Sequence, residues 1–253
     1  MTPQIYLAIP CYRESGRLEK FLTGLSVVLQ DRKLPVSVQV VEDGSGPEYA
    51  ESVSRLVAGI QANFPGLNDP LLLPDNLGKG GAIYAAWDAA PSDADWLAFS
   101  DADGATPPEE IARVLSELLA QPERADAWIG SRVKMLGKKV DRTLKRHLIG
   151  RIYATLASIA TGLAVYDSQC GFKIIRRTSY LPIRPNLLET GFGFDMELLS
   201  HLHRSGARLL EMPVDWRDVP GGKVNLVSDS WRMLVSLLRL RQTLNQSAKP
   251  SHD

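Results

Sequence analysis

An α/β fold with a mainly parallel central sheet and helices on both faces is predicted by three features of the sequence. Short apolar runs alternate with helical patterns through the first half, as repeated strand–helix units require. Polar, glycine-bearing motifs follow the apolar runs, where an open parallel sheet places its ligand crevice. The 253 residues are 44% hydrophobic, enough to bury the core of one large domain.

The elements follow in order. IYLAI at 5–9 is strand-like, and Leu18, Phe21, Leu22, Leu25, Val28 and Leu29 then recur at helical spacing. VSVQVV at 36–41 is rich in β-branched residues and runs into EDGSGP, where Asp43-Gly44 marks a turn and Pro47 suits the first position of a helix. LLL at 71–73 precedes PDNLGKGGA and a helical pattern through Trp87. WLAFS at 96–100 precedes Pro107-Pro108 and a helix carrying Ile111, Val114, Leu115 and Leu118.

The second half is less regular. AWIGS at 127–131 leads into a basic tract with Lys134, Lys138, Lys139, Arg142, Lys145 and Arg146, then into HLIGRIYATLASIATGL, which reads as an apolar helix. Strand-like KIIR, a helix starting near Asp195, strand-like ARLLEMPV and a last helix from about Ser228 to Leu244 complete the chain. No linker divides it, so the expectation is one domain over 1–245 and a tail over 246–253.

Lys plus Arg and Asp plus Glu each total 29, giving a formal net charge of zero. No global field recruits nucleic acid, and electrostatic recognition has to be local. The cysteines, Cys11 and Cys170, stand far apart without metal-ligand spacing, which fits a reducing cytoplasm. The sequence shows no signal-peptide pattern and no apolar stretch long enough to span a bilayer.

Four strand ends carry Glu14, Asp43, Lys79, and Asp101 with Asp103, which would converge on one largely acidic rim. Carboxylates gathered in one place need a cation, a hydrogen-bond donor or a raised pKa to coexist. Mg²⁺ or Mn²⁺ meets that need with one or two protein carboxylates, waters and substrate phosphates. In FSDADGAT the two aspartates share one side of an extended strand end but sit about 6.5 Å apart, too far to chelate one ion unless the chain bends. Taken alone, DADG and Asp43-Gly44 are also ordinary turn sequences. GKGG could cradle phosphate at a helix start, although it lacks a full phosphate-loop pattern.

The ordered series IPCYRE, VEDGS, NLGKGGA, SDADGAT, IGSR, DSQCGFK, GFDMELL and MPVDW resembles glycosyltransferase family 2, and within it the dolichyl-phosphate and other polyprenyl-phosphate glucosyltransferases. The resemblance implies a GT-A fold, with a Rossmann-like nucleotide-sugar-binding half over 1–130 and an acceptor-binding half over 131–245. It implies inverting, metal-dependent transfer of glucose from UDP-glucose to a polyprenyl phosphate.

By the same resemblance Pro10 and Tyr12 line the base pocket, and Glu14 and Asp43 meet the base and ribose. Lys79 holds the nucleotide, Asp101 faces the ribose or sugar, and Asp103 binds the metal. Asp195 takes the place of the general base, with Glu197 the second choice; by its position before MELL, Asp195 also reads as a helix cap. Gln169 lies beside the sugar or the acceptor, and Arg132, Arg146 and Lys223 are the cations for an acceptor phosphate. The family more often has Thr where this chain has Ser168. Its eukaryotic members carry a membrane anchor with no counterpart in this sequence, so peripheral contact at the cytoplasmic face is the expectation. Two alternatives stay open: a soluble carbohydrate or metabolite as acceptor, and a nucleotide-sugar-binding module without turnover.

Overall fold

The computed structural model describes residues 3–14, 16–133, 135–141, 161–219, 237 and 240. Among them a seven-stranded sheet has the order β3-β2-β1-β4-β7-β5-β8. The strands are β1 Ile5–Cys11, β2 Val36–Glu42, β3 Leu71–Leu72, β4 Trp96–Ser100, β5 Ala127–Ser131, β7 Phe172–Arg176 and β8 Leu209–Pro213. A small second sheet pairs β6 Val140–Asp141 with β9 Trp216–Arg217.

Strands β1, β2, β3 and β4 run parallel, as do β5 and β8, while β7 lies antiparallel between β4 and β5. Helix α1 Gly16–Asp31 follows β1, α2 Pro47–Gln61 follows β2, α3 Gly78–Asp88 follows β3 and α4 Pro108–Ala120 follows β4. The chain turns one way from β1 to β2 and the other way to β4, which opens a crevice at the carboxyl ends of β1 and β4.

Alternation along each strand sorts the core into two layers. Ile5, Leu7, Ile9, Trp96, Ala98, Phe172 and Ile174 pack against α1, α2 and α4. Tyr6, Ala8, Leu97, Phe99, Ile129 and Ile175 pack with α3 and with the Phe194–Arg204 helix. Phe194 joins the two helices of that second face, its ring 6.0 Å from Tyr84 and 5.4 Å from Phe99 between centroids.

The strands and helices expected in the first half form, and the loops leaving them share one edge. The KIIR segment is a strand as expected, but its antiparallel entry was not anticipated. The apolar helix expected over 147–163 lies almost entirely outside the described residues, as does most of the final helix. Of the latter, Leu237 and Leu240 are helical and buried.

Candidate active site

The loops at the carboxyl edge are laced together by backbone groups. Asp43, at the end of β2, is 3% exposed. Its Oδ1 accepts the Leu77 N–H at 2.7 Å, and its Oδ2 accepts the Gly78 N–H and the Asn76 side-chain amide, each at 3.0 Å. Burial lifts the affinity of Asp43 for a proton above the ordinary carboxylate range, and these N–H bonds hold it back. Gly44 makes the close approach feasible: its φ is +61° and a Cβ there would lie 2.2 Å from the Asp75 carbonyl carbon. The carboxylate expected on a nucleotide thus also fixes the start of α3.

At the end of β1, the Arg13 N–H bonds to Ser45 Oγ at 2.8 Å, tying the first loop to the second. The Arg13 guanidinium lies 5.1 Å from the centre of the Tyr12 ring. Pro10 and Tyr12 are half-buried at this rim. Glu14 takes a two-pronged contact from Arg17, with Nε to Oε2 at 2.8 Å and a second bond from Nη2 to Oε1. Arg17 Nη1 is buried with no hydrogen bond among the described residues, and the charge of Asp103 acts on this guanidinium. Sequence spacing overlooked Arg17; the signal was a cation three residues beyond Glu14 on the first turn of α1.

The DADG segment is both a turn and part of the site. Asp103 Oδ1 accepts the Ala105 N–H at 2.9 Å, and Gly104 takes the left-handed φ of +71°. Asp101 turns toward the neighbouring strand, its N–H bonding to Gly171 O at 2.8 Å and its Oδ1 pairing with Lys79 Nζ at 2.6 Å. Lys79 stands on the first turn of α3, over the rings of Phe99 at 5.3 Å and Phe194 at 5.7 Å. Burial disfavours its charge, but Asp101, Asp195 and Asp103 together raise its pKa. Asp103 is raised as well, by burial first and then by the negative charge of Asp101.

Asp195 is 2% exposed on the Phe194–Arg204 helix. It does not cap that helix, contrary to the capping alternative: the cap is Gly193, and the Asp195 carboxylate takes Lys173 Nζ at 2.5 Å on Oδ1. Burial raises its pKa, and Lys173 and Lys79 work against the rise. Glu197 is committed elsewhere, accepting the Glu189 N–H at 2.8 Å.

The acceptor-side expectations divide. Arg132 closes a bidentate fork on Asp167, with Nε to Oδ2 and Nη2 to Oδ1 both at 2.6 Å, and its own N–H adds a third bond at 2.9 Å. That geometry spends the cation inside the protein rather than leaving it open to a phosphate. Gln169 is half-buried, and its Nε2 has no hydrogen bond among the described residues. Arg146 and Lys223 lie outside the described residues. Cys170 is fully buried, its pKa pushed up to about 11 by burial and then by Asp167, which fits a packed thiol.

Among the described residues no three His, Cys, Asp or Glu side chains converge as a metal cage, and no helix is long and apolar enough to cross a membrane. The donor set still suits a hard divalent ion that completes its shell from phosphates and water. Asp103 is a half-buried carboxylate beside a second one, an arrangement that a cation relieves.

A family model described as glycosyl transferase family 2 matches residues 6–182. The chain is 30% identical over 239 residues to the glycosyltransferase AglD of Haloferax volcanii, covering 93% of this chain and 36% of that protein. It thus spans about a third of that relative's length. It is 28% identical to the dolichyl-phosphate beta-glucosyltransferase of Saccharomyces cerevisiae, over 94% of this chain and 75% of that one. Among solved structures, glucosyl-3-phosphoglycerate synthase from Mycobacterium tuberculosis, crystallised with Mn²⁺, UDP and glucosyl-3-phosphoglycerate, superposes with a TM-score of 0.67. That pair shares 17% identity, and the match covers 95% of this chain and 80% of the other; the likeness is one of fold, the GT-A arrangement of a mainly parallel sheet flanked by helices. With the family model spanning most of the sheet and the rim that carries Asp43, Lys79, Asp101 and Asp103, this chain belongs to glycosyl transferase family 2.

Proposed function

We propose that this glycosyltransferase moves glucose from UDP-glucose to a polyprenyl phosphate, with inversion at the anomeric carbon. The observation that carries the proposal is similarity along 94% of the chain to a dolichyl-phosphate beta-glucosyltransferase. A rim where Lys79, Asp101, Asp103 and Asp195 act on one another electrostatically supports it. A beta product from an alpha-linked donor requires inversion, and one carboxylate opposite the leaving group suffices for that chemistry.

In this proposal residues 1–130 hold the donor and residues 131–245 the acceptor, within one domain. Pro10 and Tyr12 flank the base, while Glu14, held by Arg17, and Asp43 border the base and ribose. Asp43 also orders the Leu77 and Gly78 N–H groups behind Lys79. Asp101 and Lys79 meet the sugar and the diphosphate. Asp103 holds a divalent ion, Mg²⁺ or Mn²⁺, which when bound supplies positive charge for the leaving diphosphate. A phosphate acceptor arrives already charged, so Asp195 has one weakly held proton to take up and chiefly orients the attacking oxygen. Gln169 lies beside the sugar or acceptor, and Arg146 and Lys223 are the proposed cations for the acceptor phosphate. The proposed setting is the cytoplasmic face of a membrane, with peripheral contact.

The test is UDP release by the purified protein from UDP-glucose and a polyprenyl phosphate in detergent, with and without EDTA, followed by organic extraction of labelled product. Metal-dependent release with label in the organic phase supports the proposal. Label confined to the aqueous phase with a carbohydrate or metabolite assigns a soluble acceptor, and binding of UDP-glucose without turnover assigns a binding module.

A further inference from the structure

Lys173 stands where the sheet pattern wants an apolar residue. It is the second residue of β7, directly across from Phe99 on β4 and Ile129 on β5. Alternation places it on the same face as Ile175, in the apolar layer beneath α3 and the Phe194–Arg204 helix. It is 0% exposed. Its ammonium group donates to Cys170 O at 2.8 Å and to Asp195 Oδ1 at 2.5 Å, and lies 5.3 Å from the centre of the Phe99 ring. A buried ion pair is commonly no more stabilising than a well-packed apolar pair of similar volume. The fold alone therefore does not account for a lysine at this place. The other carboxylate oxygen of Asp195, Oδ2, takes no hydrogen bond among the described residues.

We infer that Lys173 is a positioning residue for the proposed base: it holds the Asp195 carboxylate by Oδ1 and leaves Oδ2 as the oxygen that meets the acceptor. The inference rests on the role proposed for Asp195. In the transfer step the acceptor oxygen bonds to C1 of the sugar, the bond from C1 to the diphosphate breaks, and any proton on the acceptor passes to Oδ2. Lys173 touches only Oδ1 and takes no part in that transfer. Among the described residues, the charged and titratable groups that face Asp195 are Lys173 from β7, Lys79 and the Tyr84 phenol from α3, and Asp101 beyond β4. Of the two cations Lys173 is the one in contact, and Lys79 is already paired with Asp101 at 2.6 Å. Removing the Lys173 charge therefore leaves Asp195 buried with its main counter-charge gone.

The experiment compares wild type, Lys173→Met, Lys173→Gln, Asp195→Asn and the double variant Lys173→Met with Asp195→Asn. One readout needs no turnover: the titration of the Asp195 side-chain carboxyl followed by ¹³C NMR. The other is steady-state kinetics with UDP-glucose and a short-chain polyprenyl phosphate in detergent. In both Lys173 variants the Asp195 midpoint is expected to rise by about one pH unit or more. The acid limb of kcat should move up with it, kcat near neutral pH should fall by roughly tenfold to a hundredfold, and KM for UDP-glucose should stay within about twofold. The double variant should be no slower than Asp195→Asn alone, because Lys173 acts through that acid. An unmoved midpoint and acid limb would overturn the inference, as would a double variant slowed by the full product of the two single effects. Loss of fold in both Lys173 variants would assign the lysine to the fold and overturn it as well. Undiminished kcat in Asp195→Asn would instead overturn the role of Asp195 itself, so the two failures are distinguishable.

Discussion

Gly171 makes the space that Asp101 occupies: a Cβ on Gly171 would lie 1.9 Å from Asp101 Oδ2 and 2.3 Å from its carboxyl carbon. The same glycine accepts the Asp101 N–H through its carbonyl at 2.8 Å, so backbone and side chain of the acid are set by one residue, the one that precedes β7.

Gly171→Ala is therefore expected to displace the Asp101 carboxylate and break its contact with Lys79 while leaving the sheet paired. UDP-glucose affinity, measured by calorimetry, should weaken by about tenfold or more, and the melting temperature should move little. A normal donor affinity in this variant would argue against Asp101 in the donor site.

Asp103→Asn removes one negative charge and the proposed metal contact. Mn²⁺-dependent binding of UDP-glucose should fall by roughly tenfold or more, and turnover should follow it. Asp195→Asn should act differently, sparing donor affinity while kcat drops by about a hundredfold or more. Equal effects of the two substitutions on donor binding would contradict the division of roles between them.

Asp43→Ala leaves the N–H groups of Leu77 and Gly78 without their acceptor. The expected loss is about 1–3 kcal/mol of stability in chemical denaturation, together with a raised KM for UDP-glucose as the start of α3 loosens. Unchanged stability would mean that water replaces the carboxylate at no cost.

Glu110 gives a pH prediction. Burial works against its charge, but bonds from Arg113, from Lys138 at 2.6 Å and from the Asp215 N–H at 3.0 Å hold its pKa down at about 2, from an ordinary 4.5. A group whose pKa is depressed in the folded state contributes stability that is complete above its unfolded value and is lost as pH falls toward the folded one. The loss should therefore fall between pH 4.5 and about 2. Glu110→Gln should start less stable at neutral pH and show a flatter acid limb through that window in thermal melts.

Much of the fold was legible because its strands are short, β-branched and buried, so the alternation of Ile5, Leu7 and Ile9 with Tyr6 and Ala8 declares two faces at once. The ligand edge was legible for the same reason, since glycine and aspartate punctuate the carboxyl ends of the strands. Partnerships across long sequence separations were not. Asp195 read as a cap because spacing sees only its own helix, whereas its partner Lys173 lies 22 residues away on β7. Arg132 read as a phosphate ligand because its fork suits an anion, and the anion that claims it is Asp167, 35 residues on. Lys173 itself was a visible anomaly, a lysine inside the buried run FKIIR, and buried charge in a strand is the signal by which it could have been found.

The clasp between Arg132 and Asp167 joins two points of the chain that lie far apart in sequence. Residue 132 leaves β5 and residue 167 stands shortly before β7, and two bonds of 2.6 Å tie these points together. The exit of the chain from β5 and its return toward β7 are thereby fixed at the same edge of the sheet. Closing a loop costs entropy that grows only slowly with its length, so a clasp that joins the two ends meets most of that cost at the outset.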